Sequence, residues 1–124
     1  MLPKIILLID DSEEAHVIFK LFLKGLSCEV VSAFSADEGL ALLTGGQPFS
    51  LVFLDQMMPD KDGVQCAREI REWERSLGHS PVRVIALTGL SEHDEIKRAL
   101  DAGCDEVWLK PVAKEKLRAL VASE

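Results

Sequence analysis

No stretch of this sequence is long and apolar enough to cross a bilayer. The longest strongly apolar run, Ile5–Ile9, falls far short of the roughly 20 residues that a spanning helix needs. The same run is too short for the apolar region of a secretory leader. Asp10 and Asp11 follow it where a small-residue cleavage site would be needed, so export is not signalled and the cytoplasm is the expected compartment. Basic charge is also scarce: 14 Lys and Arg stand against 21 Asp and Glu, a formal charge of −7. That balance argues against general attraction to nucleic-acid backbones or anionic lipid, so neither nucleic acid nor membrane is an expected direct partner. The three cysteines, Cys28, Cys66 and Cys104, are widely spaced and form no CxxC, which signals neither a disulfide framework nor a zinc site. They are expected to be reduced, small and part-buried. No composition shift, low-complexity tract or internal repeat divides the chain. Its 124 residues, 48% apolar and 28% charged, are therefore read as one globular domain over residues 1–124.

Four short runs rich in branched apolar residues have strand length: Ile5–Ile9, Leu51–Leu54, Val82–Leu87 and Val107–Leu109. Glu29–Ser32, with Val30 and Val31, is a weaker fifth. Between them apolar residues recur at helical period: Ala15, Phe19, Phe22 and Leu26; Ala36, Leu40 and Leu43; Val64, Ala67, Ile70, Trp73 and Leu77; Ile96 and Leu100; then Leu117, Leu120 and Val121. Ser35 with Glu38 and Ser91 with Asp94 have capping-box spacing, while Gly45–Gly46 and Gly103 stand where helices should end. Strand and helix thus alternate five times. Strands buried on both faces and joined by helices imply a parallel sheet with right-handed crossovers. A closed eight-stranded barrel needs about twice this length, so the expected fold class is α/β, a doubly wound five-stranded parallel sheet of (βα)5 form.

In such a sheet all the strand carboxyl ends lie along one edge, and polar residues collect there. Asp10 and Asp11 follow the first run, Asp55 the third, Thr88 the fourth and Lys110 the fifth. Ligands of open α/β sheets bind beyond the carboxyl ends at the topological switch point, where the first and third strands should be neighbours. Asp10, Asp11 and Asp55 then come within mutual reach, and three crowded carboxylates ask for a hard cation. Magnesium suits them, because it takes one or two carboxylates and keeps several waters. A cation, the Thr88 hydroxyl and the Lys110 ammonium together form a pocket for a dianionic phosphoryl group.

Each residue alone has a plainer reading. Asp10 or Asp11 could cap the first helix, with Ser12 sharing that duty. Thr88 could be a turn residue and Lys110 a solvated charge. Asp55 closes a near-continuous apolar strand, with no turn chemistry until Pro59, and is harder to dismiss. Met58, Asp60, Asp62, Gly63 and Glu69 make a chance partial match to a calcium loop, since Met58 and Pro59 stand where Asp is needed. His16, His79 and His93 lack ligand spacing and are read as surface residues. Trp73 and the Met57 side chain are read as packing or loop residues.

The motifs ILLIDDSEE, LVFLDQMMPDKDG, VIALTG and LKP, in that order along the whole chain, resemble the receiver domain of two-component response regulators. The resemblance implies the flavodoxin-like strand order 2-1-3-4-5. It implies that Asp55 is the phosphoacceptor, taking a phosphoryl group from a phosphohistidine of a sensor histidine kinase or phosphotransfer protein, or from a small acyl phosphate. Asp10 and Asp11 would hold Mg2+, with the Asp55 carboxylate and the Met57 backbone carbonyl completing the protein ligands. Thr88 and Lys110 would each bind a phosphoryl oxygen, Gly89 would leave the group uncovered, and Pro111 would follow a cis peptide that aims Lys110 inward. The domain would catalyse its own phosphorylation and slow autodephosphorylation, and would switch an unknown downstream protein or fused output domain as a phosphorelay element. It would be either a single-domain regulator or a receiver from a longer chain.

One departure concerns the switch: Val107 stands where the family commonly has Tyr or Phe, and alternation points the neighbouring Trp108 to the other face. Two other readings start from the same residues. A phosphohydrolase of the haloacid dehalogenase type would need Asp-x-Asp after the first strand, where this chain has adjacent Asp10 and Asp11. A non-phosphorylated, receiver-like docking module would share the fold without needing all five site residues. A flavin module lacks the required phosphate loop after Ile9.

Overall fold

The computed structural model describes residues 3–58, 61–89 and 92–123. Five strands, β1 (Lys4–Ile9), β2 (Cys28–Ala33), β3 (Leu51–Asp55), β4 (Arg83–Thr88) and β5 (Glu106–Leu109), alternate with five helices. The helices are α1 (Glu13–Phe22), α2 (Ala36–Thr44), α3 (Gly63–Leu77), α4 (His93–Asp101) and α5 (Lys114–Ser123). All strand pairs are parallel and the order is β2-β1-β3-β4-β5, as the resemblance implies.

The core divides at the sheet, and strand alternation decides which side each residue serves. Leu7, Ile9, Val52, Leu54, Val84 and Ala86 pack with Val64, Ala67 and Ile70 of α3 and Ala99 of α4. Ile6, Leu8, Leu51, Phe53, Ile85, Leu87 and Trp108 pack with Phe19 of α1 and Leu117 and Val121 of α5. Because β1 and β3 are apolar on both faces, they read as continuous runs in the sequence and occupy the middle of the sheet. Each such Leu or Ile, fully buried, contributes about 1.5–3 kcal/mol. Val107 and Trp108 face opposite sides as expected, Val107 against the α3 and α4 cluster and Trp108 against α5.

Capping defines where the helices begin. The Ser12 hydroxyl accepts from the Ala15 N–H at 3.3 Å and caps α1, while Ser35 does the same for α2 through the Glu38 N–H at 3.1 Å. Asp62, from the false calcium-loop pattern, caps α3 by accepting from the Gln65 N–H at 2.9 Å. At α4 the capping residue is Glu92, with no side-chain cap bond; Ser91 of the anticipated box lies outside the described residues, as do Pro59 and Asp60. Gly45 caps α2, and Gly103, with φ of 114°, follows α4 as expected.

Three local expectations are corrected. Leu26 lies beyond the end of α1, where the chain has already turned toward β2. In α4 the buried position is Ala99 and Leu100 is exposed, because a short helix packs closely where its side chain is small. His16 is buried while His79 and His93 are exposed. It shares the inward stripe of α1 with Phe19, three residues on. Among the described residues no helix is long and apolar enough to cross a membrane.

Candidate functional site

Register brings the polar strand ends together. Ile9 pairs with Leu54, Asp55 with Leu87 and Thr88 with Leu109, so Asp10 and Asp55 stand level at the carboxyl edge, with Thr88 one step further along and Lys110 one step beyond Thr88. Asp10, Asp55 and Thr88 are 0%, 2% and 1% exposed, and Asp11 is exposed at the mouth. One carboxylate oxygen from each of Asp10, Asp11 and Asp55 lies within 4.8 Å of the others. Three oxygen anions so placed fit a hard divalent cation, which would relieve their mutual repulsion.

Lys110 is the cation already in place. Its Nζ lies 3.1 Å from Asp55 Oδ1 and 3.3 Å from Asp10 Oδ2. The Lys110–Pro111 peptide is cis, and the Lys110 N–H bonds the Thr88 carbonyl at 2.8 Å. Backbone N–H groups hold the carboxylates from the other side, Met57 donating to Asp55 Oδ1 at 3.1 Å and Ser12 to Asp10 Oδ1 at 2.9 Å. Burial pushes the Asp55 pKa up; the Met57 N–H and Lys110 oppose this and the Asp10 charge adds to it, leaving the group above the usual carboxylate value. Burial pulls Lys110 down, but the two carboxylates outweigh it and hold its pKa above the ordinary value. Mutual repulsion within the cluster does contribute at Asp55, although loss of solvent is the larger cause.

Among the described residues the approach to Asp55 is open. A Cβ built on Gly89 would meet nothing within 4 Å, and the Met57 side chain is 61% exposed. A groove of about 610 Å³ runs from Asp11 and Met57 to Glu95 and Arg98 of α4. On the far side of Asp10 and Lys110 an apolar groove of about 400 Å³ is lined by Ile18, Phe19, Phe22 and Pro111.

Two residues that position this edge escaped the sequence reading. A Cβ at Gly63 would come within 2.8 Å of the Asp55 carbonyl oxygen and Gln56 Cα, so only glycine lets α3 close on the end of β3. Its place directly after the capping Asp62 was the available signal. His16 donates to the Asp10 carbonyl, with Nε2 2.8 Å from the oxygen. Its spacing from Phe19 was the signal there. Trp73 stacks on His79 at 5.0 Å, a packing role as read. The cysteines are unpaired, but only Cys28 is part-buried; Cys66 and Cys104 are buried, which raises them to about 12 and about 11.

A family model described as the response regulator receiver domain matches residues 6–122. The chain belongs to that family. This receiver is 31% identical, over 94% of its length, to hybrid signal transduction histidine kinase L of Dictyostelium discoideum, and spans 7% of that protein. It is 32% identical, over 92% of its length, to the KDP operon transcriptional regulatory protein KdpE of Escherichia coli, and spans 48% of it. It thus covers less than half the length of either curated relative. Among solved structures it resembles a chain in the co-crystal structure of the Saccharomyces cerevisiae histidine phosphotransfer signaling protein Ypd1 with the receiver domain of its downstream response regulator Ssk1. The TM-score is 0.88 at 25% identity, covering 98% of this chain and 89% of that one. The family match sets aside the haloacid-dehalogenase and flavin readings.

Proposed function

We propose that this receiver accepts a phosphoryl group on Asp55 in a magnesium-dependent reaction and passes the signal on by switching partner binding. The observation that carries the reading is the meeting of three carboxylates, within 4.8 Å, with the Lys110 ammonium at one sheet edge. Asp10, Asp11, the Asp55 carboxylate and the Met57 backbone carbonyl would hold Mg2+. When bound, the ion supplies positive charge that offsets the carboxylates and the incoming phosphoryl oxygens.

An Asp55 carboxylate oxygen attacks phosphorus as the bond to the leaving group breaks, and a departing imidazole keeps that bond's electron pair and takes up a proton from solvent. Such transfer needs alignment and charge neutralisation more than a strong base. Lys110 moves its pairing from Asp55 to a phosphoryl oxygen, and the Thr88 hydroxyl donates to another, both acting where charge is greatest. Gly89 leaves the approach clear. The apolar groove beside Asp10 and Lys110 supports a protein donor, a sensor histidine kinase or phosphotransfer protein, in the cytoplasm. The downstream partner is another protein or a fused output domain.

Incubation with acetyl phosphate and magnesium should add the mass of one phosphoryl group to the intact domain, and Asp55→Asn should take none. No mass gain in the parent would favour the docking-module reading, and full phosphorylation of the variant would move the acceptor elsewhere.

A further inference from the structure

The acidic ligand set depends on the directions in which two consecutive side chains leave the backbone. Asp10 and Asp11 share one peptide plane. Because that plane is rigid, fixing the Asp10 carbonyl also fixes the Asp11 N–H and narrows the directions of both Cα–Cβ bonds. His16 reaches back from α1 and places Nε2 2.8 Å from that carbonyl oxygen. A carbonyl only accepts, so Nε2 carries the hydrogen and donates. The rest of Asp10 is already held: its N–H by the Ala33 carbonyl at 3.0 Å, Oδ1 by the Ser12 N–H at 2.9 Å, and Oδ2 by Lys110 at 3.3 Å. The histidine supplies the remaining constraint.

Packing alone does not account for an imidazole here. His16 is 3% exposed, its ring lies 4.3 Å from that of Phe34, and its Nδ1 is buried without a hydrogen-bond partner. Leucine or phenylalanine would suit the same apolar surroundings and leave no buried nitrogen unsatisfied. The polar contact that the ring does make falls on the strand end carrying the first acidic residue. We infer that His16 is a positioning residue that acts through the Asp10 carbonyl to set the Asp10–Asp11 pair for a divalent cation. This rests on reading the acidic cluster as a magnesium site.

His16→Phe keeps a ring against Phe34 and removes the donor, whereas His16→Gln carries an amide N–H at about the same reach. Calorimetric titration of the unphosphorylated protein with magnesium should show His16→Phe needing on the order of tenfold more metal for half-saturation, with His16→Gln close to the parent. At saturating magnesium, both variants should be phosphorylated by acetyl phosphate at the parent's rate, so the loss lies in affinity and not in maximal rate. A structural role alone would lower the melting temperature in EDTA and leave half-saturation where it was, and that result overturns the inference. If His16→Phe does not fold, His16→Met against His16→Gln makes the same comparison. A parent that binds no magnesium overturns both this inference and the proposed function. A parent that binds it, with the donor-less variant unchanged, overturns only the role of His16.

Discussion

Two clusters of charge lie at opposite edges of the same sheet. At the amino edge, Glu74 is buried with Arg71 Nη1 2.8 Å away, and its other oxygen accepts the Val82 N–H at 2.7 Å. Arg71 also donates to the Gly103 and Val82 carbonyls and to Asp105, whose Oδ2 in turn accepts the Val84 N–H. A guanidinium with several donors in a fixed fork satisfies two carboxylates and two carbonyls at once. At the carboxyl edge, among the described residues, three carboxylates gather around one compact ammonium, Lys110, which pairs with Asp10 and Asp55. Both clusters contain a buried acid, but one is closed by hydrogen bonds and the other keeps negative charge for something still to bind. Burial of a charge therefore does not identify a site; an unbalanced burial does.

Breaking the closed cluster should give the largest loss of stability. Glu74→Ala leaves the Val82 N–H and part of Arg71 unpaired, and urea denaturation should show a loss of about 3 kcal/mol with the magnesium response intact. Loss of the magnesium response would mean that the two edges are coupled.

The open cluster should behave in the opposite way. Magnesium binds the folded site and not the unfolded chain, so it should stabilise the parent by about 2.7 kcal/mol at a hundredfold excess over Kd. Asp11→Asn should melt higher than the parent in EDTA and lose most of that gain. A variant that melts lower in EDTA and still responds fully would remove Asp11 from the ligand set.

Acidity sharpens the comparison further. The Asp55 pKa is raised in the fold, so the folded protein holds this proton to higher pH than the unfolded chain. Stability then falls as pH rises from the ordinary carboxyl value through the raised one. Lys110, itself raised, keeps its charge throughout that window. Asp55→Asn should accordingly melt above the parent at pH 7 in EDTA, and the gap should close in acid below the ordinary carboxylate range. A gap that does not change with pH would separate the effect from ionisation.

The smallest effect concerns lifetime and not stability. Met57, exposed at the mouth, has an apolar side chain that cannot orient a water for in-line attack, and autodephosphorylation should be slow. Met57→Asn or Met57→Glu should quicken decay of the phosphorylated form, followed by mass or by phosphate release, while melting stays close to the parent. Unchanged decay would place the limiting factor elsewhere.

Apolar runs and helical period, punctuated by caps and glycines, placed the five strands and five helices, because a strand buried on both faces is apolar at nearly every position and a covering helix at every third or fourth; the half-buried β2, with Glu29 and Ser32, gave the weakest signal. Ser35 announced its own cap. Residues whose role depends on a partner far away in sequence were less legible. Glu74 reads as one more charge on the solvent face of α3 until Val82, eight residues on, brings its N–H alongside. Leu100 has the right spacing for burial, yet Ala99 takes the inward place. His16 has no ligand spacing, because what it binds is the backbone carbonyl of Asp10 just past the end of β1.

The sequence by itself determined which residues are available at the carboxyl edge: each acid, the threonine and the lysine directly follows an apolar run, and a strand of fixed rise delivers its last residue to its end whatever else surrounds it. Only the tertiary structure decided how these groups are charged and aimed. Asp55 and Lys110 are 55 positions apart and their ionisation follows from loss of solvent and from a 3.1 Å separation, quantities that exist once the sheet has closed. The direction of the Asp10–Asp11 peptide likewise depends on a helix packing its histidine beneath it, and no local pattern encodes that contact.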